Sequence, residues 1–342
     1  MKGYSLNHSV KSLLSILSGK NVLFLCHTHA DIDSLSSSFA LSQFFSIHSK
    51  TFFGIPESLS PLMKKRVKKI KMRPFVVRSL KKFDVVVCVD FRSPSQSGSL
   101  SSQLEHFSGK IVSIDHHSPS SLSFSKKAFS IINPKASATA ELVCEMGKTL
   151  HSSFTPHVSM VLAVAILEDS YGFSSANRET FECFSFLLAK SKCSYDSLWN
   201  MAFPEDDVGK RISLLKSLRN TELYSIGDFI FSFVYSPHQT ASVSSSLISL
   251  GSDVSIAWYS SMDFIFSSIR VSHRAKKELN LDASKIVLSF LEKHDGIGGG
   301  HALASQLNIP SYFSENIIRD WVKRILLEKV RKKNGKAMVR KR

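Results

Sequence analysis

The feature that most constrains the fold of this chain is a short apolar run that ends in metal-type side chains. Residues Val22 to Cys26 form a continuous hydrophobic stretch of strand length, which is typical of a strand covered on both faces in a parallel sheet. His27, Asp31 and Asp33 follow, and a helix-like segment begins at Ser34. The pattern predicts a strand, a polar turn and a helix, with ligand-type residues at the carboxyl end of the strand, where open α/β sheets bind ligands.

One imidazole and two carboxylates on a tight turn favour Mn²⁺ or Mg²⁺ over the thiolate ligands of a structural zinc site. The alternative is an acidic loop that is simply solvated, because short acidic loops are common. The turn alone leaves both interpretations open, and the other segments of the chain decide between them.

Three further apolar runs end in residues of the same chemical type. One ends in Asp90, the next in Asp115, His116 and His117, and a later run ends in Asp169. Adjacent histidines on extended backbone point to opposite sides, so one ring can bind a metal while the other faces a phosphate. Asp115 is then available to orient one of the rings by accepting a hydrogen bond from it.

These carboxylates are expected to meet, because the carboxyl ends of parallel strands lie at one edge of a sheet. Like charges that lie close together repel one another and raise a pKa. Two divalent ions about 3.5–4 Å apart would compensate that charge.

The length and the pattern of the chain indicate two α/β-type domains. Single cores rarely grow past roughly 250–300 residues, and this chain has 342. From about Thr221 the pattern changes to strand pairs with helices between them, beginning with a hairpin turn at Gly227 and Asp228. The strand pair Val254–Tyr259 and Phe264–Val271 follows, and then a helix from Leu281 to Lys293. We expect a parallel-sheet domain with helices on both faces over residues 1–200, a linker helix over 201–220, a smaller α+β domain over 221–325 and a basic tail over 326–342.

The net charge of +16 favours a polyanionic partner such as nucleic acid, through phosphate contacts and counterion release. Much of the excess lies in residues 64–71 and 331–342, and such runs are also typical of solvated surfaces.

The cysteine pattern and the hydrophobic segments bear on the cellular compartment. The five cysteines form no CxxC pair. No apolar window reaches the length of a membrane span, and the first residues lack the hydrophobic region of a secretory signal. These features predict a cytoplasmic protein that does not enter a membrane.

Taken together, the motifs resemble the DHH phosphoesterase superfamily, and within it the DHH/DHHA1 branch of nanoRNase- and RecJ-like enzymes with the archaeal form of motif I. The resemblance spans about residues 20 to 310. Its motifs in chain order are His27-x3-Asp31-x-Asp33, Asp90, Asp115-His116-His117, Asp169 and the glycine run that ends in His301.

The resemblance implies a centre of two divalent ions in a cleft between the two domains, with Mn²⁺ preferred to Mg²⁺. His27 and Asp31 would hold one ion, Asp33 and His116 the other, and Asp90 and Asp169 would bridge or share both. The ions would activate a water for in-line attack on phosphorus. The residues of the chemical step would be Asp33, Asp90, His116 and His117.

For the substrate, the resemblance implies that His117 faces the reacting phosphate. Gly298, Gly299 and Gly300 would let backbone amides approach the terminal phosphate, where a side chain would obstruct it. His301 and Arg274 would add charge-assisted bonds to that phosphate, with Arg270 as the competitor for the role of Arg274.

Some residues depart from the family pattern. Ser34-Leu35-Ser36-Ser37 replaces small residues after motif I, Ala302 follows the glycine run where a proline is frequent, and Tyr171 stands as an inserted residue after motif IV. None of these departures removes a predicted metal ligand, so they bear on the predicted substrate more than on the predicted activity.

Aromatic residues beside the acidic ends are candidates for base stacking, since every nucleobase presents a π-face. These candidates are Phe91, Tyr171 and Phe173. His29 is expected to be a bystander on the first turn.

The primary hypothesis is a metal-dependent phosphodiesterase that releases nucleoside monophosphates from short single-stranded RNA or DNA. A second keeps the chemistry and takes a small nucleotide, either 3′-phosphoadenosine 5′-phosphate or a cyclic dinucleotide. A third is a non-catalytic replication scaffold. The sequence leaves a homodimer open.

Overall fold

Strands that are buried on both faces form the centre of the N-terminal part of the chain. The computed structural model describes residues 6–117, 124, 128–204, 208–237, 239–335 and 338–341. The chain divides into two units, Met1–Glu205 and Asp206–Arg342. Parts of the predicted N-terminal domain, linker and tail lie outside the described residues, at 1–5, 205–207, 336–337 and 342.

The described strands of the first unit form one sheet in which every pairing is parallel. Its spatial order is β3-β2-β1-β4-β5-β6. The strands are β1 (Asn21–Leu25), β2 (Lys50–Ile55), β3 (Phe75–Val76), β4 (Val85–Val89), β5 (Lys110–Asp115) and β6 (Phe129–Ile132). The predicted parallel sheet is therefore confirmed.

Helices cover both faces of this sheet. They are α1 (Leu6–Leu17), α2 (Ile32–Phe44), α3 (Pro61–Lys69), α4 (Ser101–Glu105), α5 (Thr139–Thr149), α6 (Pro156–Asp169), α7 (Arg178–Ser191) and α8 (Tyr195–Ala202), with a 3₁₀ helix over Pro94–Leu100. The sequence pattern placed the start of the first helix at Val10, which is wrong by one turn. Helix ends are weakly marked in sequence because the first turn depends on packing as well as propensity.

The two faces of β1 explain its unbroken apolar run. Val22 and Phe24 pack into the large hydrophobic core that α2, α5 and α6 share, whereas Leu23 and Leu25 pack into a smaller core on the opposite face. Because successive side chains alternate between faces, a strand covered on both sides needs apolar residues at every position.

The second unit contains a mixed sheet in the spatial order β11-β12-β10-β9-β8-β7-β13. Its described strands are β7 (Glu222–Ile226), β8 (Phe229–Tyr235), β9 (Val254–Ser260), β10 (Phe264–Val271), β11 (Ile297–His301), β12 (Ala304–Pro310) and β13 (Val339–Lys341). Its helices are α9 (Val208–Arg219), α10 (Thr240–Ser249), α11 (His273–Leu279), α12 (Ala283–Leu291) and α13 (Asn316–Asn334). The predicted hairpin around Gly227 and the strand pair β9–β10 are confirmed.

Three features of this unit differ from the sequence pattern. The predicted helix Leu281–Lys293 spans only Ala283–Leu291, and a separate helix, α11, precedes it and ends where Asn280 takes a left-handed conformation. The glycine run forms an edge strand. The segment expected as a basic tail continues α13, with Leu326 and Val330 buried in the core. Among the helices in the described ranges, none is both long and apolar enough to cross a membrane.

Candidate metal centre

The sequence-predicted ligands lie at the carboxyl edge of the parallel sheet. His27 follows β1, Asp31 caps the N-terminus of α2 and Asp33 lies in the first turn of that helix. Asp90 follows β4 directly. Because these strands run parallel, their carboxyl ends present the side chains at one edge.

Two further elements complete the set. Asp115 is the last residue of β5, and His116 and His117 follow it. Asp169 is the last residue of α6. A carboxylate at a helix C-terminus faces the negative end of the helix dipole, so this position favours a neighbouring cation.

One group of possible ligands comprises His27, Asp31 and Asp90, whose donor atoms lie within 4.8 Å of one another. The Nε2 atom of His27 is 3.7 Å from Asp31 Oδ1 and 3.8 Å from Asp90 Oδ2. These separations are too long for hydrogen bonds, and they leave room for a cation that all three donors could reach.

A second group comprises Asp33, His116 and Asp169, again with donor atoms within 4.8 Å. His116 Nε2 lies 3.2 Å from Asp169 Oδ2 and 3.7 Å from Asp90 Oδ1. The two oxygens of Asp90 therefore face two different histidines, one in each group. This position lets Asp90 bridge two cations.

Hydrogen bonds from the start of α5 hold the carboxylates in place. The amides of Thr139 and Ala140 donate to the two oxygens of Asp33, at 2.7 and 2.9 Å. The Thr139 hydroxyl donates to Asp90 Oδ1 at 2.8 Å. Sequence reasoning missed Thr139, and the available signal was its position at the start of a predicted helix, where unpaired amides bind anions.

The pKa directions show how much negative charge the site concentrates. Burial, followed by repulsion from Asp169, raises the pKa of Asp33 to about 7. Burial and Asp33 raise the pKa of Asp90 well above its usual value. Burial and Asp31 raise that of Asp169 to about 7. The pKa of Asp31 falls, because hydrogen bonds and the charge of His27 outweigh the effect of its burial.

Two observations indicate that the donor set fits a divalent ion. His116 Nδ1 donates to the Ala136 carbonyl at 3.1 Å, which orients the ring so that Nε2 lies toward carboxylate oxygens of Asp90 and Asp169, where it could bind a cation. Asp169 Oδ2 is buried and accepts no hydrogen bond from the described residues. Imidazole and carboxylate donors suit Mn²⁺ or Mg²⁺.

His117 belongs to a separate hydrogen-bonded chain. Its Nδ1 donates to Asp115 Oδ1 at 2.7 Å, and Arg92 Nε contacts Asp115 Oδ2 at 3.1 Å. The hydrogen bond to Asp115 is the main cause that raises the pKa of His117. Burial acts to raise the pKa of Asp115, but the hydrogen bonds from His117 outweigh it and the pKa falls. Sequence reasoning missed Arg92.

Comparison with known proteins identifies the domain that carries this geometry. Residues 21–166 match the model of the DHH family, N-terminal domain. The match covers less than half of the chain, and it identifies a DHH N-terminal domain within residues 21–166. Members of this family are hydrolases that act on phosphoester bonds.

Two relatives match over different lengths. An uncharacterised protein of Methanocaldococcus jannaschii is 28% identical over 90% of this chain and 94% of its own. The cyclic-di-AMP phosphodiesterase GdpP of Bacillus subtilis is 24% identical over 64% of this chain, but over only 34% of its own length.

Two solved structures share the fold of the whole chain. An exopolyphosphatase-related protein of Bacteroides fragilis has a TM-score of 0.72 and 17% identity, over 96% of this chain and 98% of its own. RecJ of Thermus thermophilus, solved in complex with Mn²⁺, has a TM-score of 0.51 and 13% identity, over 97% of this chain and 55% of its own.

The loop after Asp169 places an aromatic ring beside the DHH centre. Tyr171, Gly172 and Phe173 all have positive φ, at 51°, 63° and 71°, and aromatic residues such as the first and third of these rarely adopt this conformation. Tyr171 is 77% exposed, and it lines a cavity of about 210 Å³ with carboxylates of the centre.

The other two stacking candidates are engaged elsewhere. Phe91 is only 1% exposed and packs against Phe124, so the expectation that it stacks on a base is wrong. Phe173 packs between Phe181 and Phe184. His29 is exposed and belongs to none of the possible ligand groups found among the described residues.

In the second unit, the glycine run lies at one edge of the sheet, and Arg270 lies two strands in from that edge. His301 of β11 pairs with Ala304 of β12, which pairs in turn with Arg270 of β10. His301 and Arg270 therefore share one cross-strand row and one face of the sheet. A Cβ on Gly300 would meet the Ala304 carbonyl at 2.3 Å, so only glycine fits there.

Arg274, the predicted phosphate ligand, is already paired. It contacts Asp253 at 3.4 Å and Glu278 at 3.3 Å, and its guanidinium lies over the ring of Phe229. Arg270 donates to the Ser245 hydroxyl. Which of the two arginines contacts a phosphate stays a prediction.

Proposed function

We propose that this DHH protein is a divalent-metal-dependent phosphodiesterase that hydrolyses short single-stranded oligonucleotides to nucleoside monophosphates. The observation that carries the proposal is the position of Asp90 between two three-residue ligand groups. A pair of ions bridged by a carboxylate is the arrangement that phosphoryl-transfer enzymes use on both the attacking and the leaving oxygen.

His27, Asp31 and Asp90 would hold one ion, and Asp33, His116 and Asp169 the other. The ions, Mn²⁺ in preference to Mg²⁺, would activate a water and neutralise charge on the phosphate. The amides of Thr139 and Ala140 fix the carboxylate of Asp33, so the ligand is already oriented before any ion binds.

His117 would act on the substrate directly. Its side chain is 60% exposed, and Asp115 raises its pKa. A protonated ring can donate a charge-assisted hydrogen bond to a phosphate oxygen and can supply a proton to the leaving oxygen. Asp115 and Arg92 would act through His117, by holding its ring in this orientation.

The edge strand β11 would provide a phosphate site in the second unit. Its residues are exposed along its whole length, and nothing lies within 4 Å of a Cβ built on Gly299. Backbone amides at such a strand can approach an anion closely. Arg270 and His301 would add side-chain contacts from their shared row.

The charge of the chain favours an oligonucleotide over a small nucleotide. Beside α3, a cavity of about 810 Å³ is lined by Lys64, Lys68, Lys71 and Arg73, and no acidic side chain lines it. Each phosphate that contacts such a cavity adds affinity that falls with salt. A substrate with several phosphates can use these contacts, whereas a dinucleotide has few to offer.

The second candidate function is hydrolysis of a cyclic dinucleotide. It is favoured by the likeness to the cyclic-di-AMP phosphodiesterase GdpP, which is confined to about a third of that protein. The catalytic residues would be the same in both cases, so only the substrate distinguishes them.

The test is hydrolysis of labelled substrates in the presence of Mn²⁺, with Mg²⁺ in parallel. Di- to pentanucleotides of RNA and DNA, a duplex of the same sequence and cyclic di-AMP are compared by release of mononucleotides. We expect kcat/KM to be highest on single-stranded oligonucleotides and to fall with salt. Asp90→Asn, prepared identically, controls for contaminating nucleases.

Faster turnover of cyclic di-AMP than of every oligonucleotide would establish the second candidate instead. Absence of hydrolysis on all of these substrates with either ion would overturn both.

A further inference from the structure

A cluster of two buried thiols and one half-exposed carboxylate lies between α5 and α7, outside the DHH centre. Cys144 on α5 and Cys183 on α7 are both fully buried. Their sulfurs and a carboxylate oxygen of Glu145 lie within 4.8 Å of one another. The Cys183 thiol donates to Glu145 Oε1 at 2.9 Å. We call these three residues the Cys2Glu cluster.

The cluster is distinct from the proposed catalytic ligands. Cys144 is five residues after Thr139 on the same helix, which corresponds to about 7.5 Å along the axis. Two buried thiols by themselves would be ordinary core packing. Here the Glu145 carboxylate, which is 43% exposed, also turns one oxygen toward the Cys183 thiol, so a third ligand-type group joins the two sulfurs.

We propose that the Cys2Glu cluster is a second metal site, which binds a thiophilic divalent ion of the zinc type. Two thiolates and one carboxylate are a donor set that selects zinc over the hard ions of a carboxylate centre. Tetrahedral zinc with bonds of about 2.3 Å to sulfur places two sulfurs about 3.8 Å apart. The present separations therefore require only small shifts of side chains.

Charge balance supports this assignment. Lys148 Nζ lies 2.7 Å from Glu145 Oε1 and 4.0 Å from the Cys183 sulfur. Without metal, two neutral thiols, one carboxylate and one ammonium sum to zero. Binding of M²⁺ with release of two thiol protons gives two thiolates, one carboxylate, one ammonium and one divalent ion, which again sum to zero. The cluster is neutral in both states, so the exchange leaves no uncompensated charge beside the buried thiols.

An acidic cavity gives a cation access to the cluster. The cavity measures about 680 Å³, and its lining includes Glu141, Glu145, Glu179 and Glu182. Glu145 belongs to both the cavity and the cluster, so it connects solvent to the thiols. With three protein ligands, the fourth position of the ion would open toward this cavity.

Cobalt spectroscopy on the full-length, reduced protein tests the proposal without any activity measurement. Co²⁺ bound by thiolates gives a near-ultraviolet sulfur-to-metal charge-transfer band, which the nitrogen and oxygen donors of the DHH centre cannot give. We expect the band in the wild type, its loss in Cys144→Ser and in Cys183→Ser, and its displacement by Zn²⁺. Cys193→Ser, which removes a partly exposed thiol just after α7, should keep the band.

Two further measurements cover variants that fail to fold. Glu145→Gln keeps both thiols and should lower Co²⁺ affinity at least about tenfold, the scale of a lost ligand contact. In the wild type, Zn²⁺ should protect Cys144 and Cys183, but not Cys193, from alkylation as read by mass spectrometry. A wild type without the band, a band that survives both cysteine substitutions, or equal alkylation of all three thiols would overturn the proposal. None of these results depends on whether the DHH centre hydrolyses an oligonucleotide.

Discussion

Two sheet edges differ in the charge that they present: the acidic edge, which is the carboxyl edge of the first sheet with the predicted metal ligands, and the glycine edge, which is strand β11 of the second sheet. At the first, burial and the charges of neighbouring carboxylates raise the pKa values of Asp33, Asp90 and Asp169. At the second, the exposed backbone of β11 lies beside Arg270 and His301. The carboxylates of the first edge need nearby cations to remain ionised. The second edge instead presents hydrogen-bond donors and a positively charged side chain, which favour an anion.

The largest effect is expected from removing the shared carboxylate of the acidic edge. Asp90→Asn keeps the shape and an acceptor for Thr139 but removes the charge that faces both histidines. We expect kcat/KM on oligonucleotides to fall at least about 1,000-fold, the scale of losing a group that stabilises transition-state charge. The metal-free variant should also melt at a higher temperature than the wild type, since a buried charge that repels Asp33 is gone. Activity within about tenfold of the wild type would count against the bridging role.

The next effect concerns His117 at the same edge. His117→Gln should lower kcat about 100-fold, as the loss of a general acid does. In the wild type, activity should fall as rising pH removes the proton from His117, above the ordinary histidine pKa because Asp115 raises it. Asp115→Asn removes the raising partner, so this limb should move to lower pH. A pH–rate profile on one dinucleotide measures both, and a limb that stays in place would exclude His117 as its source.

A smaller effect separates the two arginines of the glycine edge. Arg270→Ala should raise KM about tenfold with little change in kcat, the loss of one charge-assisted hydrogen bond. Arg274→Ala should leave KM nearly unchanged and lower the free energy of unfolding by about 1 kcal/mol or less, because the Arg274 side chain is half exposed and the buried Asp253 keeps hydrogen bonds from Ile230 and Ser272. Steady-state kinetics and urea unfolding of both variants decide the matter. The reverse pattern would restore the assignment to Arg274.

The smallest effect is on the stability of the metal-free protein. Asp33 and Asp169 have folded-state pKa values of about 7, against an ordinary 3.8. Between these values the folded state holds protons that the unfolded state has lost, so raising the pH lowers stability. We expect the melting temperature to fall from about pH 4.5 to 7 and Mn²⁺ to reverse the fall near pH 7. Asp33→Asn should flatten the slope, and a metal-free wild type that gains stability over this range would contradict the pKa directions.

The elements around the acidic edge could be predicted because their signals are local. The apolar runs before His27, Asp90 and Asp115 each marked a strand, and each strand is present. A strand covered on both faces leaves an unbroken hydrophobic run, and its polar boundary marks where the backbone leaves the core. The outcome for Phe91 differs because burial depends on which face a residue takes after the strand ends.

The glycine edge was less predictable. Glycine disfavours strands, and the pairing of β11 with β12 depends on neighbouring strands far away in sequence. The two arginines of this edge could not be ranked from their spacing, since Asp253 and Phe229, which engage Arg274, lie on other elements.

The linear chain was enough to indicate the parallel sheet, the order of the motifs and the resemblance to the DHH family, because hydrophobic alternation and motif spacing can be read directly along the sequence. Only the tertiary structure decided that Asp90 faces two histidines, that Thr139 holds two of the carboxylates, and that Cys144 and Cys183 meet between two helices. Those contacts join residues that are distant along the chain. Their distances are set by how helices and strands pack, and no local pattern encodes them.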